Sequence, residues 1–208
     1  MAGDRLSIKL WGSTEWLKET FYEGPNPFKL IDEQAEKSPS GSNNLIFLPY
    51  LTGERCPYAD PHAKGVFFGL TRMHGKGDIA MSVMEGVTFG LRDIYGLIRL
   101  VNPKMNPKEI ISSGGSGSAL WRQIQAHIFD LPVKTLTGAA EGGAYGAAVV
   151  AGVGAGIWKN IEEAAGCLRV ESTTEPIKNN VEKYNGLYTV YRGLYEDLKK
   201  RMKELASL

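Results

Sequence analysis

At 208 residues, 43% of them hydrophobic and with a formal net charge of +1, the chain is long enough for one well-packed domain. Its 24 basic and 23 acidic residues are interspersed, which excludes an electrostatic footprint for nucleic acid or an acidic membrane, so any bound anion must be captured locally. Two distant cysteines, Cys56 and Cys167, and three scattered histidines give no metal-ligand spacing. No secretion signal follows Met1, and the uncharged run from Gly142 to Trp158 falls short of a bilayer span, so a cytoplasmic protein is expected.

In chain order, Leu6 to Leu10 predicts a short strand, and Ser13 to Phe21 a helix capped by Ser13 or Thr14. The Gly24-Pro-Asn-Pro27 run stops that helix. A second is expected over Phe28 to Lys37, and the apolar run Leu45 to Tyr50 reads as a buried strand. Thr52 to Lys64 is irregular and charged, an ordered loop. Its Glu54, Arg55, Asp60 and His62 either serve a substrate or pair with one another to hold the loop's shape.

Gly65 to Leu70 predicts a strand with Phe67 and Phe68 on opposite faces, both covered. A long helix follows, with Asp78 as N-cap and Ile79, Val83, Val87, Leu91, Ile94 and Ile98 as its apolar stripe. Gly86 and Gly90 leave room for another backbone, and Pro103 and Pro107 end the helix. Glu85, on its face, reads as solvated or salt-bridged.

The stretch from Glu109 to Phe129 passes from strand chemistry to helix chemistry across a run of glycines and serines, with Leu120, Ile124 and Ile128 as the helix stripe. Such a junction aims backbone N–H groups and the positive end of a helix dipole at one spot, where an oxyanion sits without interference from side chains at Gly114 and Gly115. A tight turn that merely needs positive φ explains the glycines equally well. No Lys-Ser/Thr follows them and Leu120 stands where a third glycine would, so this is neither a P-loop nor a dinucleotide fingerprint.

Pro132 to Leu136 is another short strand, and Glu141 to Ala148 opens a helix of small residues that permit tight packing, its costly glycines suggesting a packing or a ligand constraint. The Gly152-Val-Gly-Ala-Gly156 run is a helix end with a C-cap. A helix over Asn160 to Cys167 is followed by a long one from Ile177 to Leu205. Its stripe, Val181, Tyr184, Tyr188, Tyr191, Tyr195, Leu198, Met202 and Leu205, is expected to pack on its own domain rather than form a coiled coil. Interleaved strands and helices make this an α/β chain whose ligand sits at the mouth of the sheet.

The junction, with GERCPYADPHAKG (Gly53 to Gly65) and GVFFGLTRMHGKGDIAMSVMEG (Gly65 to Gly86), resembles the C-terminal domain of the FGGY carbohydrate kinases. The second stretch carries the more specific signature: Gly65, Phe67, Gly69 and Leu70, then Asp78, Ile79, Ser82, Val83, Met84 and Glu85. The resemblance runs from about Gly12 to the C-terminus. It implies one lobe of the actin-like, ribonuclease H-like ATPase fold, using ATP and Mg²⁺ to phosphorylate a sugar hydroxyl. D-xylulose is the first acceptor to consider, with gluconate, erythritol and glycerol as alternatives. It also implies that Gly114, Gly115 and Ser116 approach the nucleotide phosphates, that Ser118 and Ala119 lie beside the adenosine, and that Thr14 and Glu15 face the purine. No catalytic residue and no metal ligand are carried over, because the family's sugar site and catalytic aspartate belong to an N-terminal lobe absent from this chain. On that reading the chain alone is inactive, and the face that lobe would cover favours a homodimer meeting through the Thr52 to Lys64 loop. The rival is a non-catalytic nucleotide-binding or interaction module of the same fold.

Overall fold

A computed structural model describes residues 3–113, 117–138, 142–167 and 169–208. They form two compact units, one of residues 1–106 and 178–208 and one of residues 107–177.

The first unit is built around a 26-residue helix. Its elements are α1 (Gly3–Phe21), α2 (Pro27–Ala35), β1 (Ile46–Leu48), β2 (Val66–Phe68), α3 (Lys76–Val101) and α7 (Lys178–Ala206). Helix α3 packs against α1, α2 and β1, while α7 covers the other side of β1. Every α3 residue from Ala80 to Phe89 is buried, so the expected single stripe is in fact a helix enclosed on all sides over its middle turns. Beyond Gly96 the same helix is exposed, Ile98 included.

Gly86 explains how α3 comes so near the sheet. A Cβ at this position would lie 2.2 Å from the Phe47 carbonyl oxygen, so only glycine lets α3 seat on β1. The backbone approach predicted there is what the structure shows.

Three expectations for this unit are corrected. Residues 6–10 are not a strand but the opening turns of α1: the alternation is too short to outweigh good helix formers, and no proline breaks the run before Phe21. Ser13 and Thr14 are therefore mid-helix rather than caps, both buried, with Ser13 Oγ donating to the Pro49 carbonyl at 3.4 Å. Asp78 is not the N-cap of α3. Gly75 is, and Asp78 sits at N3, where its Oδ2 accepts from Gly75 N at 2.8 Å in the manner of a capping box. Third, β2 pairs antiparallel with β1 in a two-stranded sheet, and Phe68 is 45% exposed, so only the Phe67 face is covered.

Helix α7 closes the unit along most of its predicted stripe, except that Leu205 at its end is exposed and Leu194, outside the stripe, is buried. Val181, Tyr184, Tyr191, Leu194, Tyr195 and Met202 are buried, and each stripe tyrosine that meets the domain finds a polar partner. Tyr184 donates to Glu85, Tyr188 to Asp93 and Tyr195 to Asp60, while Tyr191 and Tyr50 share a hydrogen bond. Phe89 packs among Tyr184, Tyr188 and Tyr191, and Tyr58 stacks on Tyr195 at 3.6 Å between centroids.

The second unit contains β3 (Ile110–Ile111), α4 (Ala119–Phe129), β4 (Val133–Leu136), α5 (Gly143–Gly154), α6 (Ile161–Gly166) and β5 (Val170–Thr174). Strands β3 and β4 are parallel, joined through α4 as a βαβ unit, and β5 adds antiparallel to β4. Ile124 and Ile128 of α4 are buried, as their spacing predicts, and α4 packs on β4 and β5. Strand β5, VESTT, is polar on both faces and carries no sequence alternation, so its pairing with β4 is new information. The tight packing expected of α5 is limited to Gly152, where a Cβ would lie 2.3 Å from the Trp158 ring. Most of its other described positions are exposed. The helix ends as predicted: Gly156, at φ +77°, follows Ala155 and donates its N–H to the Val153 carbonyl.

Candidate functional site

The strand and the helix predicted on either side of residue 114 are present: β3 ends at Ile111 and α4 begins at Ala119. Ser112, buried, extends the ladder by donating its N–H to the Lys134 carbonyl at 2.9 Å. The expected phosphate contacts Gly114, Gly115 and Ser116 lie outside the described residues. Gly117 is described, and a Cβ placed on it would meet nothing within 4 Å.

Ser118 is the N-cap of α4, and its Oγ accepts the N–H of Trp121 at 3.0 Å. Ala119, the first residue of α4, is exposed. A helix N-terminus, with its positive dipole end, is of a kind that suits an oxyanion.

Thr14 and Glu15 belong to the first unit, on α1, whereas Ser118 and Ala119 belong to the second. Thr14 is 3% exposed, and Glu15 is half-buried with its Oε1 2.6 Å from Lys18 Nζ. Trp16, next in the chain, stacks on Phe47.

The first unit's chemistry lies in a line of acids along α3 that sequence reasoning saw only in part. Asp78, Glu85 and Asp93, at helical spacing, are all buried. Glu85 is neither solvated nor salt-bridged, which corrects the expectation for it. Its Oε1 accepts from Gly41 N at 2.7 Å and Tyr184 Oη at 2.6 Å, and its Oε2 accepts from Ser42 Oγ at 2.6 Å. Burial pushes its pKa up to about 7, in spite of those three donors and the field of Lys183.

What Glu85 holds is unusual. Gly41, Ser42, Asn43 and Asn44 all have positive φ, from +47° to +83°, a left-handed turn that side chains resist. Asp78 grips the same segment: its Oδ1 accepts from Ser38 Oγ at 2.6 Å and from Asn43 Nδ2 at 2.9 Å. Burial works to raise the Asp78 pKa, but Ser38, the Gly75 N–H and Asn43 outweigh it and hold the carboxyl below its ordinary value. Asp93 was not singled out from sequence. It accepts from Tyr188 and lies 3.6 Å from Arg192 Nε; burial raises its pKa against both. The available signal was an acid in helical register with Asp78 and Glu85 inside an otherwise apolar stretch. Glu85 and Asp78 each accept a backbone N–H, from Gly41 and Gly75, and so hold the backbone, whereas Asp93 is met only by the side chains of Tyr188 and Arg192.

Within the loop 52–64, Glu54 and Asp60 help to hold the loop's shape. Glu54 Oε1 accepts from Cys56 N at 2.8 Å, Glu54 N donates to the Asp60 carbonyl at 2.7 Å, and the Asp60 carboxylate accepts from His62 N at 2.8 Å and from Tyr195. Among the described residues no group of three His, Cys, Asp or Glu side chains gathers to hold a metal, and no helix is long and apolar enough to cross a membrane.

Comparison with solved structures gives the class first. A ligand-bound xylulose kinase from Lactobacillus acidophilus superposes with a TM-score of 0.80 at 30% identity, covering 96% of this chain and 39% of that one. A gluconate kinase from the same organism superposes at 0.79 and 30% identity, covering 95% and 39%. The fold is thus one lobe of the actin-like ATPase fold of sugar kinases. The FGGY family of carbohydrate kinases, C-terminal domain, matches residues 7–155, and the chain belongs to that family. A xylulose kinase of Staphylococcus epidermidis is 37% identical over 197 residues, which are 94% of this chain and 39% of that protein. The chain therefore spans about two fifths of the length of such relatives.

Proposed function

We propose that this chain is the nucleotide-binding portion of an ATP-dependent sugar kinase, and that the whole protein transfers the γ-phosphoryl group of ATP to a hydroxyl of D-xylulose. Gluconate stands second as acceptor, since a gluconate kinase superposes almost as well. The observation that supports this reading is the start of α4 after β3, with Ser118 as its N-cap and Ala119 exposed. Gly114, Gly115 and Ser116 would line the phosphates, Ser118 and Ala119 the adenosine, and Thr14 and Glu15 the purine. ATP supplies the phosphoryl group, and Mg²⁺ bound to its phosphates would offset their charge. A further lobe would supply the sugar contacts and the aspartate that takes the hydroxyl proton, so residues 1–208 alone would bind nucleotide and not turn over. Self-association is part of the same reading.

The test is calorimetric titration of the chain with ADP and Mg²⁺. Weak saturable binding is expected, and Gly115→Val should abolish it, because a β-branched side chain would occupy the phosphate position. Unchanged affinity in a variant with native circular dichroism would place the nucleotide elsewhere.

A further inference from the structure

Between α7 and the two-stranded sheet of the first unit runs a groove of about 440 Å³. Ile46 and Phe68 line it from the sheet. They are cross-strand partners, so they share the face opposite to Phe47 and Phe67. Leu187 and Val190 line it from α7, and Gly186 between them adds no side chain. Phe68 and Val190 are each 45% exposed, so this hydrocarbon meets water.

One end of the groove is polar. Asn44, from the left-handed turn, and Lys183 complete the lining, and Lys183 is the charged residue among those that form it. Its stem lies against the turn: a Cβ on Gly41 would come 2.7 Å from Lys183 Cε and 3.2 Å from Nζ. The ammonium makes no salt bridge with another described residue, and its neighbours one turn away on α7, Asn179, Asn180, Gly186 and Leu187, carry no acid. Glu85 feels its field, but that carboxyl is enclosed by Gly41, Ser42 and Tyr184. Val190 lies two helical turns beyond Lys183, about 10 Å along the axis.

A cation at the end of a hydrocarbon groove suits an amphipathic anion, and the volume is that of a small-molecule site. A sugar or a nucleotide brings many polar groups, for which the lining offers one ammonium and one carboxamide. A peptide brings backbone N–H and C=O groups that Ile46, Phe68, Leu187 and Val190 leave without partners, at a cost for each one buried. An unbranched acyl chain brings none, and its carboxylate can pair with Lys183. We propose that this groove binds a free medium-chain fatty-acid anion, with the carboxylate at Lys183 and Asn44 and the alkyl chain along Ile46, Phe68, Leu187 and Val190. The site lies within the first unit and shares no residue with the proposed nucleotide contacts, so its test needs neither nucleotide nor sugar.

The test is calorimetric titration of the chain with decanoate, below the concentration at which it forms micelles. Saturable binding at one site per chain is expected. Affinity should rise about two- to fourfold per methylene from hexanoate to decanoate, as each is buried along the groove, and level off once the tail passes Val190. Lys183→Met keeps the apolar stem and removes the charge, and should weaken decanoate about fivefold while leaving decanol unchanged. Val190→Glu should abolish binding by setting a carboxylate beside the tail. Both positions are exposed, so folding is not at risk, and circular dichroism checks it. Absence of saturable binding overturns the proposal. So does an affinity indifferent to chain length, or one that neither substitution alters. A groove that sedimentation shows to be covered by a second copy, with decanoate excluded from it, overturns it as well.

Discussion

The buried carboxylate of Glu85 gives the sharpest test of how the first unit is held together. Replacing it by alanine removes the common acceptor of the Gly41 N–H, the Ser42 hydroxyl and the Tyr184 hydroxyl at a site 2% exposed. Each buried donor left without a partner costs about 1–3 kcal/mol, and Gly41 N retains only a 3.3 Å contact to Tyr184 Oη. Glu85→Ala should therefore cost about 3–5 kcal/mol, a large part of the roughly 5–15 kcal/mol that ordinarily separates folded from unfolded domains. Glu85→Gln keeps the shape and one acceptor oxygen, and both hydroxyls can rotate to accept from its amide, so its cost should be about 1 kcal/mol. The two variants also differ from wild type in their pH dependence. With its folded pKa raised to about 7 from 4.5, the folded protein holds this proton more tightly than the unfolded chain does. The stabilisation is complete below about pH 4.5, declines as pH rises to 7 and is gone above it, a change of about 3 kcal/mol at most. Urea unfolding of wild type and Glu85→Gln from pH 5 to 8 isolates this one group, since other titrations cancel in the difference. The reasoning fails if the two proteins show the same pH slope, or if Glu85→Ala is as stable as Glu85→Gln.

Gly86→Ala should destabilise by about 3 kcal/mol or more, since its Cβ would lie 2.2 Å from the Phe47 carbonyl oxygen and α3 must lift from β1. Gly96→Ala, on the exposed part of the same helix with nothing within 4 Å, should instead stabilise by about 0.5–1 kcal/mol; urea midpoints of the two variants read the contrast. Asp78→Asn should cost about 1–2 kcal/mol, because the carboxylate serves Gly75 N, Ser38 and Asn43 together. Its folded pKa is depressed, so wild type should keep this advantage above about pH 4 and lose it in more acidic solution, which chemical denaturation across that range would show.

The features legible in the sequence were those set by local periodicity or by a backbone requirement. The stripe of α7, the strand and helix that flank residue 114 and the glycine at 86 each follow from spacing or the lack of a side chain. The features that escaped depend on what is across the gap. Leu6, Ile8 and Leu10 alternate like a strand, yet the run continues into α1, where context overrides a three-residue pattern. VESTT becomes β5 only because β4 offers it an edge. Glu85 looks like a surface acid until Gly41, Ser42 and Tyr184, from two distant segments, are brought to it. Of the proposed site residues, Ser118 was readable as the start of α4 from its own segment, while the purine role given to Thr14 and Glu15 rests on the family resemblance and on no local signal.

The tyrosines of α7 have a consequence for the order in which this chain can fold. Their hydroxyls reach partners 95, 99, 135 and 141 residues earlier in the chain, and residues 107–177 form a unit of their own in between. Contacts so remote in sequence are made late, because the intervening chain must first be gathered. During synthesis, the segment up to residue 106 leaves the ribosome with Glu85 and Asp93 still missing their tyrosine donors and without the contacts that α7 makes to β1. It waits in that state while more than seventy further residues are translated. If the inserted unit collapses on its own, it shortens the effective loop and hastens closure. If it lingers unfolded, the part of β1 that α7 later contacts is what a chaperone, or another nascent chain, would meet first.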